Sequence, residues 1–188
     1  MSLNYSDESS INDVYISLNK HLNDSELPKI LEKVLQAFRN ANTDIQHTKK
    51  ILLEKNDRVE SNKILAIVAP ELKNIGFDVE TSKKKKDKLQ LKSYSNGVNF
   101  EVDAWNKSEK CVVEIEAGRA FANNQHIKDF YEVCVAEEEI EYLCIAVRNK
   151  YRDSYDLSKI IPWYLAIQRC IIEGNMYVKL KGILLIGY

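Results

Sequence analysis

The residues best able to do chemistry lie between Asn99 and Glu116. Side chains alternate across an extended strand, so Asn99, Glu101, Asp103 and Trp105 share one face, and Val98, Phe100 and Val102 share the other. On the next, more apolar run, Val112, Glu114 and Glu116 share a face. Residues 106–110 have turn composition, so the two runs read as a hairpin. A four-residue loop over 107–110 places Asp103 opposite Glu114 and Glu101 opposite Glu116. A loop shifted by one residue moves the register by two and leaves Asp103 diagonal to Glu114. In both registers Asp103, Glu114 and Glu116 converge. Like charges facing across a strand pair destabilise it, and carboxylates in an apolar strand are costlier still unless compensated. A hard divalent cation compensates them, since Mg²⁺ takes a few carboxylate oxygens together with water and phosphate oxygens. The other reading of the same spacing is the solvated polar face of an antiparallel sheet.

Elements on both sides must position this hairpin. Ile11, Val14, Tyr15, Leu18 and Leu22 recur at helical spacing, as do Leu27, Ile30, Leu31, Val34, Leu35 and Phe38. Residues 40–44 break the pattern, and a weaker segment runs over 45–53. Val59, Ile64, Ile67, Val68, Leu72 and Ile75 mark another helix, bent near Pro70 and ended by Gly76. Strands are expected over 77–81, 89–92, 98–103 and 111–116. A helix follows over 124–136 with Ile127, Phe130, Tyr131 and Cys134 inward. Residues 142–147 read as a strand buried on both faces, residues 160–172 as a helix, and residues 177–186 as a closing strand. The expected fold class is α/β: a central mixed sheet flanked by helices over 46–188, with a helical N-terminal extension over 1–45.

Composition narrows the class without choosing the chemistry. The chain has 188 residues, 45% hydrophobic and 29% charged, which is enough for one domain with a sizeable core. A net charge of −1 gives no global attraction to nucleic acid or membrane, so such a partner must be met by a local patch. No apolar run approaches the ~20 residues of a membrane span. The first residues carry no basic region followed by an apolar stretch, so a cytoplasmic protein is expected. Cys111, Cys134, Cys144 and Cys170 sit in apolar segments without zinc-site spacing and read as reduced core residues. There is no GxxxxGK(S/T) phosphate loop, no GxGxxG and no G-x-S-x-G elbow, and His21, His47 and His126 lack metal-ligand spacing.

An acidic residue ending one strand, a turn, an apolar strand ending in Glu-x-Glu, and then a helix: this order resembles the PD-(D/E)XK nuclease superfamily. The residues that carry the likeness are Val102-Asp103 and Val112-Val113-Glu114-Ile115-Glu116, within roughly residues 59–148. The tract from Glu114 to Arg119 and then Asn123-Asn124-Gln125 is similar to type II restriction endonucleases, and its Glu-x-Glu form to the BamHI/BglII-type branch, where Glu replaces the usual Lys. The resemblance implies a restriction-endonuclease-like core and Mg²⁺-dependent hydrolysis of DNA phosphodiester bonds, with Mn²⁺ as a possible substitute. It implies Asp103, Glu114 and Glu116 as metal ligands, with Glu116 also positioning or deprotonating the attacking water. A further Glu from the helix before the sheet is implied, Glu60 in first place and Glu71 as the alternative. Double-strand cutting implies a homodimer on double-stranded DNA.

Substrate contacts are expected from Arg119 and Lys128 near the acidic strand and from Asn124 and Gln125 at a helix start, where backbone N–H groups favour anions. Asn123 or Asn124 also reads as a plain helix cap. The lysine run that holds Lys84 and Lys85 is either a clamp on a DNA backbone or a solvated loop. Arg148, Lys150, Tyr151 and Arg152 form a second basic cluster with the same two readings. Trp105 either stacks on a base or packs at the hairpin end. Two rivals share the sequence: a catalytically inactive DNA-binding or assembly module of the same fold, and a protein-interaction domain whose acidic hairpin is only a soluble face.

Overall fold

The computed structural model describes residues 9–18, 26–54, 60–80, 88–94, 97–117, 120, 124–150 and 156–188, the side chains of Leu53 and Asp156 excepted. Arg119, Lys84, Lys85, Asn123, Tyr151 and Arg152 lie outside them. The elements run β1 (Asn12–Ser17), α1 (Lys29–Glu54), α2 (Ser61–Asn74), β2 (Asp78–Val79), β3 (Leu89–Lys92), β4 (Asn99–Val102), β5 (Ala104–Asn106), β6 (Cys111–Glu116), α3 (Gln125–Cys134), β7 (Tyr142–Val147), α4 (Asp156–Ile172) and β8 (Gly182–Gly187). Six strands form one mixed sheet in the order β1-β8-β7-β6-β5-β2, and β3-β4 form a separate two-stranded sheet. The α/β class expected from the sequence is the class found.

The parallel core β6-β7-β8 is built from two crossovers, β6-α3-β7 and β7-α4-β8. Both step the same way across the sheet, and crossovers are right-handed, so α3 and α4 must lie on one face. Alternation along the strands divides the core accordingly. Cys111, Val113, Ile115, Cys144, Ala146, Leu184 and Ile186 pack with α1 and α2. Val112, Leu143, Ile145, Val147, Ile183 and Leu185 pack with α3 and α4.

The N-terminal segment departs from expectation. Residues 12–17 are a strand, not a helix: β1 pairs antiparallel with β8, from Asn12 opposite Gly187 to Ser17 opposite Gly182. Every residue of β8 is buried, and without β1 its backbone would be an open apolar edge. That demand comes from residues about 170 positions away, and Val14-Tyr15-Ile16 suits a strand. Gly182 and Gly187 leave room for the pairing. A Cβ at Gly182 would fall 2.5 Å from the Tyr15 hydroxyl oxygen, and one at Gly187 would collide with the Asn149 side chain. Asn149 in turn donates to the Ser10 carbonyl at 2.7 Å and accepts from the Asn12 amide at 3.0 Å.

The expected break over 40–44 is also absent, and α1 runs unbroken through residue 45. Ala41 and Ile45 continue the buried stripe. The asparagines lie off it, where Gln36 donates to Asn40 at 2.8 Å and Gln46 to Asn42 at 3.0 Å. In α2, Ile64, Leu65, Val68 and Leu72 are buried, Pro70 is accommodated inside the helix, and Gly76 at φ 88° turns the chain into β2.

Candidate active site

The hairpin forms with the four-residue turn. Ala104 pairs with Val113, Trp105 with Val112 and Asn106 with Cys111. Asn106 begins the turn: its Oδ1 accepts from the Ser108 hydroxyl at 2.8 Å and the Glu109 N–H at 3.0 Å, and its amide donates to the Ile75 carbonyl at 3.1 Å. The register extends one step further to put Asp103 level with Glu114. There Asp103 Oδ2 accepts the Ile115 N–H at 2.8 Å.

Glu101 does not follow. The chain leaves the main sheet before Asp103, and Glu101 pairs with Gln90 in the small sheet instead of facing Glu116. Its carboxylate meets Lys88 at 3.0 Å, and the same ammonium reaches Glu80 at 3.0 Å. Glu80 follows β2, and its N–H donates to the Asp103 carbonyl at 2.8 Å.

Glu114 and Glu116 lie on the face of β6 that packs toward α3, and the charges of two acids of that helix act on Glu114. Asp129 and Glu132 are buried. Gln125 donates to Asp129 Oδ1 at 3.0 Å, and Lys128 pairs with Glu132 at 2.8 Å. Among the described residues no donor reaches the Glu114 carboxylate, and the buried Asp129 Oδ2 has no partner. The electrostatics follow. Burial pushes Glu114 well above the carboxylate range, and Asp103, Asp129, Glu116 and Glu132 push it further. Burial raises Asp103 to about 6 against the opposing Ile115 hydrogen bond. Burial raises Asp129 to about 7, opposed by Gln125.

The structure therefore sets Asp103 level with Glu114, with Glu116 two residues along the same strand face; the charges of Asp103, Glu116, Asp129 and Glu132 act on Glu114, and that of Glu80 acts on Asp103. It leaves Glu60 apart from the charges that act on Glu114 or Asp103: Glu60 stands exposed as the N-cap of α2, without a side-chain capping bond. Glu71 accepts from Asn40 of α1 at 2.9 Å. Asn124 is the N-cap of α3 at φ 50°, a left-handed conformation that Asn tolerates, and caps through its carbonyl, which accepts from Ile127 and Lys128. Trp105 is partly buried in the α3-side core with Lys107 6.0 Å over its ring. All four cysteines are free; Cys111 and Cys144 are buried, Cys134 and Cys170 half-buried.

The orientation of α3 explains the missed acids. The buried side chains are His126, Asp129, Phe130, Glu132 and Val133, whereas Tyr131, expected inward, is exposed. The helix is turned by about one residue from its most apolar setting. Spacing held a signal, since Gln125, Asp129 and Glu132 fall on neighbouring turns of one face. The same turn buries His126 edge-on to Tyr164 at 5.6 Å and Trp163 at 6.3 Å, with both ring nitrogens unpartnered and its pKa lowered to about 4 by burial.

Against known families, the model described as "Putative halobacteria restriction endonuclease" matches residues 18–188. The chain belongs to this restriction endonuclease family. No curated protein and no solved structure matches it. Membership points to a nuclease and to DNA as its substrate. In this restriction-endonuclease-like chain the acids sit at the C-terminal end of β6, beside the parallel β7 and under α3, the position where open α/β sheets place their sites. Among the described residues no group of three or more His, Cys, Asp or Glu side chains is placed to hold a metal ion. The donor chemistry nevertheless suits a hard cation: all oxygen, buried at Glu114, Asp129 and Glu132, and incompletely matched by positive charge. No helix of the described residues is long and apolar enough to cross a membrane.

Proposed function

We propose that this chain is a Mg²⁺-dependent endonuclease of the PD-(D/E)XK type that hydrolyses DNA phosphodiester bonds, with double-strand cleavage by a C₂ homodimer. The observation that carries the reading is Glu114, buried in β6 among Asp103, Glu116 and the α3 acids with no donor on its carboxylate among the described residues. Asp103, Glu114 and Glu116 would hold the cation, which when bound supplies Lewis-acid polarisation of the scissile phosphate and a more acidic water. Asp103 is presented by the end of the hairpin and fixed by the Ile115 N–H. Glu116, two residues along the same face, orients or deprotonates the attacking water. The α3 N-terminus at Asn124 would receive a phosphate, with Lys128 and Gln125 available to it once they exchange Glu132 and Asp129. Arg119, Lys84 and Lys85 add backbone contacts.

Plasmid cleavage with Mg²⁺, with Mn²⁺ and with EDTA tests this, comparing the wild type with Glu114→Gln. Linear product that needs the cation and disappears in Glu114→Gln is the expected result. Salt-dependent DNA binding with no cleavage under any cation would overturn the enzyme reading in favour of a non-catalytic DNA-binding module.

A further inference from the structure

The outward face of α4 is apolar where a solvated helix is polar. Toward the sheet the helix buries Leu157, Ile160, Tyr164 and Ile171. On the other side Pro162, Trp163, Leu165 and Ala166 are exposed, Trp163 and Leu165 at 48% each. The Trp163 indole stands edge-on to the buried His126 ring at 6.3 Å, which holds it in place at the surface. A large aromatic held this way is the kind of residue that anchors a protein interface. Charge brackets the apolar run: Lys159 precedes it, and Arg169 and Glu173, paired at 2.7 Å, follow it. Glu173 continues the helix, since its N–H donates to the Arg169 carbonyl at 2.9 Å.

At about 3.6 residues per turn, Lys159, Pro162, Ala166 and Glu173 fall on one stripe. Ala166 lies seven residues after Lys159 and seven before Glu173. That spacing is self-complementary. A second copy of the helix, antiparallel about a two-fold axis at Ala166, brings Lys159 level with Glu173 of the second copy at both ends. Trp163 then packs beside Cys170 of the second copy, and the small Ala166 lets the two helices approach at the axis. We propose that α4 is the self-association surface of this protein, packing antiparallel against α4 of a second copy. The proposal rests on the homodimer of the reading above, to which it gives a surface, and uses none of the acids of the candidate site.

Sedimentation equilibrium of the full chain tests this, at concentrations through the micromolar range because a single helix pair is a small interface. The proteins are wild type, Ala166→Arg, Lys159→Glu, Glu173→Lys and the variant with both charge reversals, each checked for folding by circular dichroism. Ala166→Arg should weaken the dimer about tenfold or more. Each single charge reversal should weaken it by a few-fold, and the double reversal should return it to within about twofold of the wild type. Under copper phenanthroline oxidation, Ala166→Cys should cross-link to itself, whereas Lys159→Cys should not, because the two copies of position 159 stand at opposite ends of the contact. A wild type that stays monomeric, a dimer that Ala166→Arg leaves intact, or a double reversal no better than the single ones overturns the proposal. Cross-linking at position 159 in place of 166 also overturns it. Plasmid cleavage by the same proteins separates the two readings: a dimer through α4 that never cuts DNA upholds the surface and removes the nuclease, and cutting by a protein whose mass ignores the α4 variants does the reverse.

Discussion

The two faces of β6 share six consecutive residues and little else. Toward α1 and α2 the strand presents Cys111, Val113 and Ile115, all buried among aliphatic side chains. Toward α3 it presents Val112, Glu114 and Glu116, and the helix above answers with further acids. The first face is stabilised by burial of apolar surface, roughly 25 cal/mol per Å². The second gives up part of that stabilisation to hold carboxylates at one end of the sheet. A fold can carry this defect because the opposite face and the β7–β8 core remain wholly apolar.

The sharpest way to break the contrast is to move a carboxylate across the strand. Val113→Asp should prevent stable folding, since an unpaired charge in the α1-side core costs several kcal/mol; circular dichroism of the purified variant checks this. A folded Val113→Asp protein with a Tm near the wild type would mean that the faces are not distinct. Glu114→Gln should do the reverse. It should lower cleavage about a thousandfold while raising Tm in EDTA, because it removes the most crowded acid.

The pH dependence sharpens the same contrast. Asp103 and Asp129 are raised to about 6 and about 7. An acid whose folded pKa exceeds its unfolded value contributes stability that is complete below the unfolded pKa and is lost as pH rises through the folded one. Melting in EDTA should therefore show the protein gaining stability, on the order of a few kcal/mol, as pH falls from about 8 to 6. Asp129→Asn should flatten that slope. Below about 6.5 His126 acts in opposition. Its pKa is lowered to about 4, so its contribution is present above the unfolded value and lost as pH falls toward 4. The smallest effect expected is that of His126→Phe, which keeps the ring contacts to Tyr164 and Trp163 and removes two unpartnered nitrogens. It should raise Tm by an amount equivalent to about 1 kcal/mol, and by more at pH 5 than at pH 8. Equal shifts at both pH values would show that His126 is not buried as a neutral ring.

Much of the site was legible because its geometry is local. A period of two along β6 and a turn at Asn106 narrow the hairpin to two registers, and the pairing observed is the one that sets Asp103 level with Glu114. Glu101 lies only two residues before Asp103, yet it is elsewhere, because the chain changes sheets between them and Lys88 captures its carboxylate. Asp129 and Glu132 were hidden for a different reason. Periodicity identifies the apolar stripe of α3, but the setting of a short helix on a sheet depends on its neighbours, and here Phe130 and Val133 go inward while Tyr131 does not. The segment from Ile11 to Leu18 read as a helix because apolar spacing of three and four also fits a strand that is partly buried on both faces, and Leu22 lies outside the described residues.

The sequence by itself determined the α/β class, the strand that bears Glu114 and Glu116, and the hairpin that joins it to Asp103 in one of two registers, since each depends on alternation and turn chemistry over about fifteen residues. Tertiary structure decided the rest: which edge β1 would cover, where Glu101 would go, and which face of α3 would lie over the acids. Those outcomes join residues far apart in the chain. What selects them is the need to bury an apolar edge and to match charge in a closed space, and neither can be read from any one segment.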